Sequence, residues 1–98
     1  MEVIKKREDS KLFVQLIGRL DTNTSGQLEE AVRDELKTVD FLQLDFKDLE
    51  YISSAGLRVL LSLQKVMNTQ GEMIVTNVND DIKETLTITG FVDILTLK

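Results

Sequence analysis

Short apolar runs separated by polar turns recur along the chain, and their spacing predicts strands. Residues 12–17 alternate in the pattern of a half-buried strand, and the polar group at 8–11 indicates a hairpin to an edge strand near residues 3–4. Residues 41–46 and 73–78 are further apolar runs of strand length. Four strands are therefore expected.

Apolar residues at helical spacing predict three helices between and after these strands. The first covers about residues 24–38, the second residues 54–70, and a shorter third is capped at residues 79–81 and closed by Gly90. A last apolar segment follows at residues 91–95. This alternation predicts an α/β fold, a mixed sheet of four to five strands with helices packed on it and right-handed crossovers between parallel neighbours.

The second helix carries one clear apolar stripe and two leucines outside it. The predicted core stripe spans about 120 degrees of the helical wheel and consists of Gly56, Val59, Leu60, Leu63, Val66 and Met67. Leu57 and Leu61 lie one turn apart on the flank that also carries Ser54. They either pack under a neighbouring element or form an exposed ridge for a partner helix, and their exposure distinguishes the two.

Two serines precede this helix and have two interpretations. Ser53 or Ser54 can cap the helix, its hydroxyl accepting a backbone N–H. A helix start also tolerates negative charge, so a phosphate there would be accommodated while bringing about −1.5 to −2 charges to the surface. One hydroxyl can therefore be both a cap and a switch.

Composition narrows the possible functions. The 98 residues contain no cysteine and no histidine, so the usual thiolate and imidazole metal ligands, nucleophiles and bases are absent. A net charge of −5 opposes nucleic-acid binding. No stretch is long and apolar enough for a membrane span or a signal peptide, and no linker divides the chain. We expect one cytoplasmic domain over residues 1–98, with no metal, cofactor, nucleic acid or membrane insertion.

The segment from Leu44 to Leu61, with Tyr51-Ile52-Ser53-Ser54-Ala55-Gly56-Leu57-Arg58 at its centre, closely resembles the signature of STAS domains, specifically the bacterial anti-sigma-factor antagonists. The resemblance extends to Gly18-Arg19-Leu20-Asp21 before the first helix and to residues 88–94 near the end. It covers nearly the whole chain.

This resemblance implies a partner-switching regulator of sigma-factor-dependent transcription rather than an enzyme. The unphosphorylated domain would bind an anti-sigma factor that is also a serine kinase, phosphorylation would release it, and a serine phosphatase would restore binding. The family's acceptor serine corresponds to Ser54, and Ser53 replaces the family's preceding Asp, which makes Ser53 the alternative acceptor. The expected partner-binding residues are Asp21, Thr22, Asn23, Ser53, Ser54, Ala55, Gly56, Leu57, Arg58 and Leu61.

Other functions remain as alternatives. Asp21 can instead cap the first helix. A STAS-type accessory subunit of a transport or phospholipid-trafficking complex would use the same surface without phosphorylation, and the replacement by Ser53 favours it mildly. An enzyme would need Asp21, Asp45 or Asp48 with a metal, since the chain has no Gly-rich phosphate loop.

Overall fold

The strands and helices follow one another in the predicted order in the computed structural model, which describes all 98 residues. The strands are β1 (Glu2–Glu8), β2 (Lys11–Leu20), β3 (Phe41–Ile52) and β4 (Glu72–Thr76), the helices are α1 (Ser25–Val32), α2 (Ser54–Asn68) and α3 (Asp80–Ile88), and 3-10 turns occupy Glu35–Lys37 and Phe91–Asp93. None of the three helices is both long enough and apolar enough to cross a bilayer.

The sheet is mixed and has four strands in the order β1-β2-β3-β4. Strand β1 is antiparallel to β2, whereas β2, β3 and β4 are parallel. The predicted α/β class and the shared sheet are confirmed. The last apolar segment adds no full fifth strand, because it forms the 3-10 turn and then a single parallel bridge between Leu97 and Val75.

One face of the sheet holds the core. In β2, Leu12, Val14 and Leu16 are almost fully buried, and the inward residues of β3 continue the same layer. The intervening Phe13 and Gln15 are half-buried on the other face. Successive strand side chains point to opposite faces, so this alternation places the packed helices on one side.

Strand β3 runs six residues further than the predicted limit at residue 46, reaching Ile52. Lys47 and Asp48 interrupt the apolar alternation, but the chain stays extended, and Leu49 and Ile52 are buried again. The pairing with β2 shifts register between Gln15 and Ile17 and again after Gly18. Bulges of this kind insert extra residues into one strand and increase its local twist. The strict alternation of side chains is then lost, so the sequence pattern does not indicate the full length of the strand.

Helix α1 ends at Val32, well before the predicted limit near residue 38. The ammonium of Lys5 in β1 donates to the carbonyl oxygen of Ala31 and to the Glu35 carboxylate, both at 2.7 Å. A cation at this end of a helix binds carbonyl groups that have lost their helical partners. The early end is thus associated with a contact from a distant strand, which local sequence does not reveal.

Gly56 lets α2 approach the sheet closely. A β-carbon at this position would lie 2.7 Å from the carbonyl oxygen of Leu20 and 2.9 Å from side-chain atoms of Leu20 and Ile52. Real β-carbons essentially never come that close, and one of the obstructing atoms belongs to the backbone. Glycine therefore determines how near the start of α2 comes to the ends of β2 and β3.

Replacing Gly56 by alanine should lower the free energy of unfolding by about 1–3 kcal/mol, because α2 must move away from Leu20. Gly26→Ala is the matched control, since nothing lies within 4 Å of a β-carbon there. It should be neutral or stabilise the protein by up to about 1 kcal/mol. Urea unfolding of both variants measures the difference, and equal stabilities would contradict the proposed close contact.

Candidate functional site

The predicted site residues gather where the parallel strands β2 and β3 end. The loop at residues 21–24 follows β2, and α2 begins directly after β3. The backbone N–H of Ser53 donates to the carbonyl oxygen of Leu20 at 2.9 Å, which holds the two chain segments together. Carboxyl ends of parallel strands form the usual binding edge of α/β sheets. We call this edge the crest; it consists of the ends of β2 and β3, the loop at residues 21–24 and the start of α2.

The two serines of the crest have different environments. Ser53 is the N-cap of α2, with extended backbone (φ −99°, ψ 176°), and its hydroxyl accepts the N–H of Gly56 at 3.4 Å. Ser54 is the first helical residue; it is exposed, and its hydroxyl forms no hydrogen bond within the protein. The cap interpretation therefore applies to Ser53, which leaves the Ser54 hydroxyl free.

Asp21 organises the loop rather than capping α1. Its Oδ1 accepts the backbone N–H of Asn23 at 3.0 Å and the hydroxyl of Thr24 at 3.2 Å. The single hydroxyl hydrogen of Thr24 is shared with the carbonyl oxygen of Arg19, which is the nearer acceptor at 2.7 Å. The N-cap position of α1 is Thr24, which makes no side-chain capping bond. The alternative of Asp21 as a helix cap is therefore wrong.

The pKa of Asp21 is lowered by these contacts. Partial burial of the carboxylate acts to raise the pKa, but the hydrogen bonds from Asn23 and Thr24, together with the positive charge of Arg19, outweigh that effect. The Arg19 Nε lies 3.6 Å from Oδ2 of Asp21. The loop is thus tied to an ionised carboxylate at neutral pH.

Arg19 and Tyr51 form a pair at the crest that the sequence prediction did not include among the site residues. They are register partners in β2 and β3, and the Arg19 guanidinium carbon lies 4.2 Å from the centre of the Tyr51 ring. This distance is within the range of a cation–π contact, which extends to about 6 Å from the ring centre. The register shift immediately before Arg19 brings the two side chains together, and no local pattern indicated it.

The remaining predicted partner-binding residues differ in their exposure to solvent. Thr22, Asn23 and Arg58 are exposed, whereas Ala55 and Leu61 are half-buried. These residues and Ser54, from the loop and from α2, all reach solvent. Carboxylates do not cluster here or elsewhere in groups of three or more that could hold a metal ion.

Leu57 is buried, so of the two alternatives for Leu57 and Leu61 the exposed ridge is wrong, and packing under neighbouring elements is confirmed for Leu57. Only 6% of Leu57 is exposed, and Gln64 on the same flank is also 6% exposed. The buried arc of α2 extends over roughly 160 degrees, because the helix contacts β3 and β4 as well as α1. Conversely, Val66 was assigned to the core but is 39% exposed, beside the groove left where α1 ends.

Comparison with known proteins agrees with this geometry. The family model described as "STAS domain" matches residues 2–98. The Anti-sigma F factor antagonist of Paenibacillus polymyxa is 34% identical over 89 residues, covering 86% of this chain and 74% of that protein.

Two solved structures have the same fold. An anti-sigma factor antagonist from Mycobacterium paratuberculosis has a TM-score of 0.87 at 20% identity, covering 98% of this chain and 83% of its own. The Bacillus cell fate determinant SpoIIAA in its phosphorylated form has a TM-score of 0.77 at 15% identity, covering 99% and 91%.

Leucine-to-aspartate variants test the corrected placement of the α2 flank. Leu57→Asp should destabilise the fold by several kcal/mol, because the carboxylate would be buried without a partner. Leu61→Asp should cost about 1 kcal/mol or less, since that side chain reaches solvent. Thermal unfolding followed by circular dichroism compares the two. A stable, well-folded Leu57→Asp protein would show that the flank is open.

Acid should remove the contribution of Asp21 to stability. Because its pKa is lower in the folded protein than the ordinary value of about 3.9, its stabilising effect is complete above that ordinary value. The effect is lost as pH falls through the folded-state pKa. Wild type should therefore exceed Asp21→Asn in melting temperature at neutral pH, and the gap should close in acid. A gap independent of pH would exclude this linkage.

Proposed function

The chain belongs to the STAS domain family, and we propose that it acts as an anti-sigma-factor antagonist. In its unphosphorylated form it binds an anti-sigma factor that is also a serine kinase, and this binding frees the sigma factor for transcription. The observation that carries the proposal is the free, exposed hydroxyl of Ser54 on the crest, in a chain whose relatives are named for this activity.

Ser54 is the phosphorylation site in this proposal, and Ser53 is its structural support. A kinase must reach the hydroxyl that it modifies, and Ser54 is exposed at the start of α2. Ser53 is half-buried, and its hydroxyl already accepts the N–H of Gly56. The γ-phosphoryl group of ATP is transferred to Ser54 Oγ with release of ADP. A serine phosphatase returns the hydroxyl by hydrolysis, releasing inorganic phosphate.

Charge explains how one phosphate ends the binding. The new group brings about −1.5 to −2 charges to a position that the helix dipole tolerates, so the free protein stays folded. In a complex the same phosphate must lose its hydration, which costs several kcal/mol unless the partner supplies compensating groups. A loss of about 4 kcal/mol weakens binding roughly a thousandfold.

The docking surface in this proposal is the exposed edge of the crest. It comprises Thr22 and Asn23 from the loop and Ser54, Arg58 and Leu61 from α2. The buried Gly56 and Leu57 contribute indirectly, because they fix the position of the helix. The protein acts in the bacterial cytoplasm, where it meets the kinase and the phosphatase. ATP and magnesium belong to the kinase.

A second candidate is an accessory subunit of a transport or phospholipid-trafficking complex that binds through the crest without phosphorylation. The specific observation in its favour is Ser53, a neutral residue at the position where the family signature that this chain resembles has an Asp. Phosphorylation assays separate this candidate from the first.

Incubation with anti-sigma factor kinases from the same genome and ATP should add one phosphate, detected by intact mass. Ser54→Ala should abolish the addition, and the phosphorylated wild type should lose most of its affinity for the kinase. Ser53→Ala is the matched control, expected to cost about 0.5–2 kcal/mol of stability as a lost cap yet remain a substrate. Phosphate on Ser53, or binding to an anti-sigma factor that never phosphorylates the chain, would reject the switch at Ser54.

A further inference from the structure

We infer that Arg19, whose guanidinium lies over the ring of Tyr51, is a specificity-determining contact that recognises a carboxylate of the protein partner. The inference rests on the proposed function and names a residue that the crest's loop and helix do not include. The partner is thus a protein that presents an Asp or Glu side chain beside the crest.

The guanidinium of Arg19 is positioned by the Tyr51 ring, but its N–H groups have no good hydrogen-bond acceptor within the protein. It lies 4.2 Å from the centre of the Tyr51 ring, and its side chain is 57% exposed. Its shortest approach to a carboxylate, 3.6 Å to Asp21, is too long for a good hydrogen bond. Asp21 meanwhile uses its other oxygen to bind Asn23 and Thr24. Apart from this long ion pair through Nε, Arg19 makes no side-chain hydrogen bond within the protein, so its guanidinium can still bind a second carboxylate at the surface.

The position of the guanidinium over the Tyr51 ring prepares it to bind a planar anion. A guanidinium lying over a ring directs its donors along its own plane, and a carboxylate can accept two of them in parallel. Because Tyr51 already restricts the side chain, less conformational entropy is lost when a partner binds. Arg and Tyr are also the residue types most enriched at the energetic centres of interfaces. A surface arginine without an aromatic neighbour would lose more conformational entropy on binding.

The register of the strands favours an external carboxylate over the phosphate of Ser54. Leu20 and Ile52, which follow Arg19 and Tyr51 in their strands, are buried in the core beneath α2. Alternation along a strand therefore places Arg19 and Tyr51 on the opposite face of the sheet from the helix that carries Ser54. The pair extends the docking surface from the crest onto the uncovered sheet face.

Calorimetric titration of the cognate anti-sigma factor with crest variants tests the inference. Arg19→Ala should weaken binding about tenfold to a hundredfold, and Arg19→Glu should weaken it further. Lys65→Ala is the charge-matched control. It removes one exposed positive charge about 16 Å along α2 from Ser54 and should change affinity less than twofold. Equal losses of affinity in Arg19→Ala and Lys65→Ala would show that Arg19 acts only through its general positive charge. That result would overturn the inference.

The role of the Tyr51 ring and that of the partner's acidic residue can be tested separately. Tyr51→Phe keeps the ring and should stay within about threefold of wild type, whereas Tyr51→Ala should approach the loss seen for Arg19→Ala. Both substitutions are at a surface position, so both variants should be folded, and their melting temperatures check this. Replacing the recognised acidic residue of the anti-sigma factor by Lys should restore binding to Arg19→Glu. Failure of every acidic-to-Lys partner variant to do so would contradict carboxylate recognition.

Phosphorylation supplies one further discriminating result. Tyr51 is the only tyrosine, and there is no tryptophan, so the emission of the isolated protein reports on the Arg19 contact. Phosphorylated wild type should retain the emission of the unmodified protein. A change that disappears in Arg19→Ala would show that the phosphate captures Arg19, which contradicts the inference. If no anti-sigma factor binds wild type, both proposals fail; if one binds and Arg19→Ala binds equally well, only this inference fails.

Discussion

The close approach of α2 to the ends of β2 and β3 is the constraint on which the other features of the crest depend. Gly56 has no side chain, so the helix start comes within contact distance of the Leu20 backbone. The same approach allows the Ser53 N–H to bind the Leu20 carbonyl oxygen at 2.9 Å. Once these contacts form, Ser53 is a half-buried cap and Ser54 is the first residue of α2, with its side chain exposed. The different roles of the two serines, Ser53 as the cap and Ser54 as the exposed hydroxyl, thus follow from backbone packing.

Sequence reasoning succeeded where a residue's role depends on near neighbours. The period-two apolar runs placed three sheet strands, and the stripe through Leu60, Leu63 and Met67 identified the core face of α2. Ser53 was one of two possible caps, and only coordinates could decide between adjacent hydroxyls. The site edge itself followed from a resemblance rather than from periodicity.

Failures of prediction trace to tertiary contacts. Lys5 binds the end of α1 from a strand 26 residues away, so no sequence window around Val32 contains this contact. Leu57 is buried because α2 is covered over a wider arc than a single stripe suggests. The pairing of Arg19 with Tyr51 depends on two register shifts between β2 and β3, which sequence alternation cannot locate. In each case a neighbour distant in sequence decided the outcome.

Separation of the two sides of α2 has an evolutionary consequence. The buried arc holds the fold, while Ser54, Arg58 and Lys65 lie on the solvent side and contribute no core contacts. Exposed substitutions usually change stability by less than about 0.5 kcal/mol, so this side can diverge without loss of the fold. Gene duplicates within one genome could therefore acquire different partners by changing few surface residues. The core would stay constant while the exposed side of α2 changed, so divergence in binding would not require divergence in fold.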